Sequence, residues 1–170
     1  MQNTLNGLLG TEHILINVDP RDAQEAIQKL TIALIETGHV VPGFAEDVWK
    51  REQIFPTGLP TQPLAVAIPH ADPDHVNRSA VCIGVLNSPV RFAQMGTDGS
   101  TFLDVHLVFL LAIKEHEKQV EMIQQLMIVI QNASLLDGLS RAKEPAEAFA
   151  LIQKTLAGKG NDENKQSQGH

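Results

Sequence analysis

The stretch DVHLVFLLAI at residues 104–113 restricts the fold of this chain more than any other. It is rich in β-branched and aliphatic residues and, toward its end, apolar at consecutive positions, the pattern of a strand covered on both faces and central in a sheet. Such a strand needs partners, and the chain offers them. EHILINV (12–18) is β-branched and partly alternating, LAVAI (64–68) reads as a buried strand ending at Pro69, and AVCIGVL (80–86) is another apolar run. NSP (87–89) reads as a turn and VRF (90–92) as a short edge strand, so that two short strands neighbour one another in mid-chain; MGTDGST (95–101) reads as a loop.

Helical periodicity fills the intervals. Asp19 and Pro20 supply an N-cap and a first-turn proline for a helix carrying Ala23, Ala26, Ile27, Leu30, Ala33 and Leu34 on one face and closing at Gly38. VVPGFAEDVWKRE (40–52) predicts a shorter helix with Phe44, Val48 and Trp49 inward and Arg51 near its C-terminal end. FPTGLPTQP (55–63), with three prolines and a glycine, is a turn-rich loop. Val120, Ile123, Met127 and Ile130 mark a long helix over about 116–131, Ser134–Leu139 one more turn or short helix, and 145–158 a last helix that starts on proline and stops at glycine. The expectation is an α/β fold, an α+β sandwich: a mixed β-sheet flanked by helices on both faces. Residues 1–157 are expected to form one domain, and 158–170, almost without apolar side chains, a disordered tail that includes His170.

Charge and cysteine content limit the chemistry. With 170 residues and a formal net charge of −7, the chain has no basic face of the kind that phosphate-backbone binders use, so nucleic acid is not an expected partner. No apolar run approaches the roughly 20 residues that span a bilayer, and MQNTLNGLLG lacks the pattern of a signal peptide, so a cytoplasmic protein is expected. Cys82 is the only cysteine; it cannot form an internal disulfide and reads as a buried small hydrophobe. No GxxxxGK or GxGxxG loop is present, so nucleotide binding of those types is not expected, and the sequence points to no other cofactor.

Against that background AVAIPHAD (65–72) stands out. It places His70 just beyond the carboxyl end of a strand, where α/β proteins usually meet their ligands. A neutral imidazole is a good nucleophile near pH 7, and Pro69 stiffens the approach to it. The bland alternative is a hydrogen-bonded surface histidine. A metal site built from His70, Asp72 and His75 is a further alternative, although DPDH serves equally as a turn. His13, His39 and His106 have structural explanations at strand and helix positions.

AVAIPHAD resembles the phosphohistidine motif, [GA]-[IV]-A-[IV]-P-H, of the EIIA components of the bacterial sugar phosphotransferase system (PTS), the mannitol/fructose class or EIIA type 2. The resemblance covers about residues 8–157, with the opening strand, the KRE segment, AIPH, DVHLVFLLAI and the following helix in the family's order. REQIFPTGLP followed by AIPHAD is most similar to the galactitol-type branch. The resemblance implies a phosphotransferase in which the phosphocarrier protein HPr phosphorylates His70 and a cysteine of the cognate EIIB protein takes the group onward for uptake of a sugar or sugar alcohol; which ring nitrogen reacts depends on the one the fold leaves exposed, and the distal one is expected. Contact with the membrane would then be indirect, through the EIIC permease. A regulatory EIIA-like module, whose phosphorylation state controls partner binding, is the alternative.

The same resemblance assigns Arg51 to the site, where its fork of N–H donors suits phosphoryl oxygens, with Thr57 of FPTG as a possible hydroxyl donor. Asp72 is a candidate to orient the His70 ring, as the backbone equally is. Many family members carry a second active-site histidine near the start of the long helix. Alignment on QVEMIQQL puts Gln119 there, with His116 three residues earlier, so either one is the candidate substitute. No metal is implied.

Overall fold

The structure is a computed structural model and describes residues 4–167. Five strands form one mixed sheet: β1 (Ile14–Val18), β2 (Gly58–Leu59), β3 (Ala65–Ala67), β4 (Ala80–Ala93) and β5 (Phe102–Ala112), in the order β1-β4-β5-β3-β2. β5 is central, as its two-sided apolar pattern requires. It pairs antiparallel with β4 and parallel with β3. Its Leu107, Phe109 and Leu111 face one core while Val108, Leu110 and Ala112 face the other.

Helices cover both faces. α2 (Ala23–Glu36) and α3 (Gly43–Ile54) pack on one side through Ile27, Leu30, Leu34, Phe44 and Val48. α4 (His116–Ile130), α5 (Ala133–Arg141), α6 (Pro145–Ser167) and the short N-terminal α1 (Thr4–Leu8) cover the other. Every apolar position expected on the inner face of α2 is buried. The helix closes through Thr37 into Gly38, whose φ of +76° only a glycine adopts without strain.

Four local expectations are corrected. The N-cap of α2 is Asp22, which accepts from the Glu25 amide at 2.9 Å, because Asp19 and Pro20 are spent on leaving β1. Asn87, Ser88 and Pro89 do not turn the chain: they bow outward, exposed, as an irregularity within the single strand β4, whose two halves both pair with β5. β1 pairs with β4 only up to Leu86, so the VRF half has β5 alone beside it and is locally an edge. α4 buries Met122, Leu126, Val129 and Ile130, whereas Val120 is 63% exposed, one of two competing apolar stripes having been chosen by contact with α5 and the sheet. Finally, α6 does not stop at Gly158 but stays helical to Ser167. Gly158 and Gly160 each cost a helix only about 1 kcal/mol, and no proline follows to end it. His170 lies outside the described residues.

Candidate functional site

β3 ends one residue before Ile68, and the chain then stays against the sheet: the Leu111 amide donates to the Pro69 carbonyl at 3.0 Å, and His70 bridges to Leu111. This tie fixes the backbone of His70 at the C-terminal end of the central strand. The side chain is 7% exposed. Its Nδ1 donates to the Ile68 carbonyl at 2.8 Å, and because a carbonyl only accepts, Nδ1 carries the ring proton and Nε2 carries the lone pair. Burial lowers the His70 pKa below 6.5; the Ile68 hydrogen bond and Asp72 act against this, and the Arg51 charge adds to it. The ring is therefore neutral at pH 7 with its distal nitrogen ready to act as a nucleophile.

His70 lines a cavity of about 220 Å³ together with Arg51, Ile54, Phe55, Pro56, Thr57 and Met95–Thr97. Arg51 reaches it from the last turn of α3, its guanidinium 5.1 Å from the centre of the Phe55 ring. Its Nε is buried and has no hydrogen-bond partner. A guanidinium N–H held dry and unpaired beside a nucleophile is costly unless an anion completes it. The FPTG loop borders the cavity and is pinned at its C-terminal end by two bonds: the Met95 amide donates to the Gly58 carbonyl at 2.8 Å, and the Ile68 amide to the Thr57 carbonyl at 3.3 Å.

Not every expected side chain points into this arrangement. Thr57 lines the cavity, but its hydroxyl donates to Glu52, at 2.8 Å to Oε2, so its single proton is already committed. Asp72 is exposed and does not orient the His70 ring; the Ile68 carbonyl does so, by accepting from Nδ1. Gln119 sits on the first turns of α4, where Nε2 donates to the Ala71 carbonyl at 3.4 Å, beside His70 along the chain. His116, the first residue of α4, is exposed. His75 is drawn away to Asp47 of α3 through Nδ1. Among the described residues no three His, Cys, Asp or Glu side chains come together as metal ligands. Cys82 is fully buried, and burial pushes its thiol pKa up, which leaves it an unreactive small hydrophobe.

One residue at this site escaped the sequence reading. Glu52 is 6% exposed and accepts the Thr57 amide, at 2.8 Å, as well as the Thr57 hydroxyl. Burial raises its pKa from 4.5 to about 7 despite those hydrogen bonds and the neighbouring Arg51 charge. The signal was its place four residues after Val48 and eight after Phe44, on the buried stripe of α3.

A model of the family described as "Phosphoenolpyruvate-dependent sugar phosphotransferase system, EIIA 2" matches residues 8–155. The multiphosphoryl transfer protein of Shigella flexneri is 30% identical over 154 residues; these are 88% of this chain but only 17% of that protein. The galactitol-specific EIIA component of the PTS from Escherichia coli O157:H7 is 25% identical over 118 residues, 69% of this chain and 77% of that one. Among solved structures, enzyme IIA for mannitol of Escherichia coli, in complex with phosphorylated enzyme IIB, superimposes with a TM-score of 0.72 at 23% identity, covering 86% of this chain and 97% of that one. That likeness shows a shared fold.

Proposed function

The chain belongs to the EIIA 2 family of the phosphoenolpyruvate-dependent sugar phosphotransferase system, a family of phosphotransferases, and on that premise we propose that His70 is its phosphoryl acceptor. The phosphoryl group comes from a phosphohistidine of the phosphocarrier protein HPr and leaves to a cysteine of a cognate EIIB, in the uptake of a sugar or a sugar alcohol such as galactitol. The reading rests on one observation: a buried imidazole with its proton held on Nδ1 by a carbonyl, lining one cavity with an unpaired arginine N–H.

In the transfer, the bond between phosphorus and the donor's nitrogen breaks as the Nε2 lone pair of His70 forms the new one. The ring becomes cationic as it is phosphorylated, and the Ile68 carbonyl, already accepting from Nδ1, stabilises that charge without rearrangement. Arg51 supplies fixed positive charge to the phosphoryl oxygens, and alignment of donor and acceptor does the rest. Gln119 keeps the backbone after His70 in place. No step calls for a metal or nucleotide.

None of the helices among the described residues is long and apolar enough to cross a membrane. The proposal places the chain in the cytoplasm and its membrane contact in the EIIC permease. Intact-mass spectrometry at neutral to alkaline pH, after mixing with phosphorylated HPr, tests the assignment. One acid-labile phosphoryl group on the parent and none on a folded His70→Ala variant is the expected result; equal labelling of both removes His70 from the role.

A further inference from the structure

Glu52 is a buried titratable group that the transfer chemistry above does not use. It is joined to the acceptor by a continuous series of hydrogen bonds. The Glu52 carboxylate accepts the Thr57 amide and hydroxyl, the Thr57 carbonyl accepts the Ile68 amide, and the Ile68 carbonyl accepts Nδ1–H of His70. Thr57 is 2% exposed and borders the same cavity as His70 and Arg51. Its hydroxyl has one proton and spends it on Glu52, which leaves none for a phosphoryl group that only accepts.

A proton on Glu52 resolves this. We propose that Glu52 and Thr57 form a proton-coupled donor for the phosphohistidine: protonated Glu52 donates to Thr57 Oγ1, and the Thr57 hydroxyl proton turns to a phosphoryl oxygen on His70. The inference rests on His70 being the acceptor. The balance is simple: one proton enters from solvent to the Glu52 carboxylate, the Thr57 O–H bond rotates without breaking, and no other bond changes. Glu52 is a positioning residue in this scheme, acting on the phosphoryl group through Thr57.

Opposing influences act on that uptake. Arg51, on the same helix, favours the ionised carboxylate, and Arg91 of β4 borders a neighbouring cavity of about 300 Å³ that Glu52 also lines, its own guanidinium lying over the Phe102 ring at 4.6 Å. The other walls of that cavity are Trp49, Gln53, Pro56 and Phe92 with small residues, and His70 is the titratable group on the opposite side. Burial already holds Glu52 near the point of taking a proton at neutral pH. A phosphoryl group carries close to two negative charges at pH 7, and a like charge arriving nearby raises a carboxyl pKa further. By linkage, whatever phosphorylation adds to the proton affinity of Glu52, protonation adds to the stability of the phosphohistidine.

The test is a pH titration, over about pH 6 to 9, of the Glu52 carboxyl carbon by NMR in protein labelled with ¹³C-glutamate, before and after phosphorylation by phosphorylated HPr or by phosphoramidate. A Glu52→Gln variant assigns the resonance, and intact mass reports the phosphoryl group independently. The expected result is a midpoint that rises by at least about one pH unit on phosphorylation, and a shift reduced to less than half in Thr57→Val. A phosphorylated parent whose Glu52 midpoint stays put overturns the coupling and leaves the acceptor assignment intact. A full shift that survives in Thr57→Val overturns the donor role of Thr57. No mass gain from either phosphoryl donor overturns the acceptor reading and the coupling with it. The parent titration is decisive even where Thr57→Val does not fold.

Discussion

His70 Nδ1 and the Ile68 carbonyl oxygen lie 2.8 Å apart, so the ring that ends the AIPH segment is oriented by the backbone two residues before it. The same bond fixes the tautomer and decides which nitrogen is free. Phosphorylation is therefore expected at Nε2, and ¹⁵N-coupled NMR of the labelled phosphoprotein checks it; a phosphoryl group on Nδ1 contradicts the geometry. The pH dependence follows from the lowered pKa: the nucleophilic neutral ring predominates down to pH values below 6.5. The rate of phosphoryl acceptance should hold between pH 8 and 6.5 and decline only below that range. A rate already halved at pH 7, with the donor shown to be fully active there, counts against it.

Arg51 offers a buried Nε–H without a partner to a cavity it shares with His70. Losing a charge-assisted contact to a phosphoryl oxygen costs roughly 2 to 3 kcal/mol in the transition state, so Arg51→Ala should slow acceptance by about 30- to 160-fold without abolishing it. Arg51→Lys, which keeps the charge but not the fork, should fall between. Single-turnover transfer from phosphorylated HPr measures both; an Ala variant as fast as the parent removes Arg51 from the site.

How much of this was legible in the residues depends on the range of the interaction that decides it. β5 was readable because covering both faces of a strand leaves a local signature, and His70 because proline and histidine at a strand end make a short motif. The continuity of β4 through Asn87–Pro89 was not, since only the β5 partner on both sides of the interruption makes it one strand. The phase of α4 was not, because its sequence carries apolar residues on more than one face and packing selects Met122 and Leu126 over Val120. At the site, Arg51 and His70 were assigned by resemblance and the fold brings them to one cavity. The commitment of the Thr57 hydroxyl to Glu52 is a contact across a loop, with no periodicity to betray it.

Gln119 donates to the Ala71 carbonyl at 3.4 Å, which puts its side chain within reach of the segment that carries His70. A histidine in its place keeps a donor and adds a charge that responds to pH. Gln119→His should make the phosphoprotein longer-lived at pH 6.5 than the parent, and the difference should shrink at pH 8.5, where the new imidazole is neutral. Phosphoprotein lifetimes by intact mass at the two pH values decide it; identical lifetimes at both place Gln119 outside the reach of the phosphoryl group.

Glu52 makes stability depend on pH in a direction unusual for a carboxyl group. Its folded pKa, about 7, lies above the 4.5 of the unfolded chain, so the folded state holds the proton more tightly. That contribution is present below pH 4.5 and is lost as pH rises toward and through 7, at about 2 to 3 kcal/mol between pH 5 and 8. His70 and His13, both with lowered pKa values, act oppositely below pH 6.5, but they do so equally in parent and variant. The difference in unfolding free energy between Glu52→Gln and the parent should therefore move in the variant's favour by that amount from pH 5 to 8. Urea unfolding at the two pH values measures it, and a difference that does not change with pH shows that Glu52 titrates normally.

Gly58 is required for a reason of space. A Cβ built on it meets the Ala93 carbonyl oxygen at 2.6 Å, and that neighbour is backbone held in the β4–β5 pairing, where it cannot swing aside. The Gly58 carbonyl in turn accepts from the Met95 amide, so the loop cannot back away without giving up the contact that brings Met95–Thr97 to the cavity. Gly58→Ala should destabilise the fold by about 1 to 3 kcal/mol and, through displacement of adjacent Thr57, slow phosphoryl acceptance in the fraction that remains folded. Gly96→Ala serves as the comparison: its added Cβ meets nothing within 4 Å, and its cost comes only from a φ of +78°. Urea unfolding and single-turnover transfer on both variants separate the two effects. Equal stability loss with parental transfer rates in both would show that the close approach of Gly58 to β4 does not shape the site.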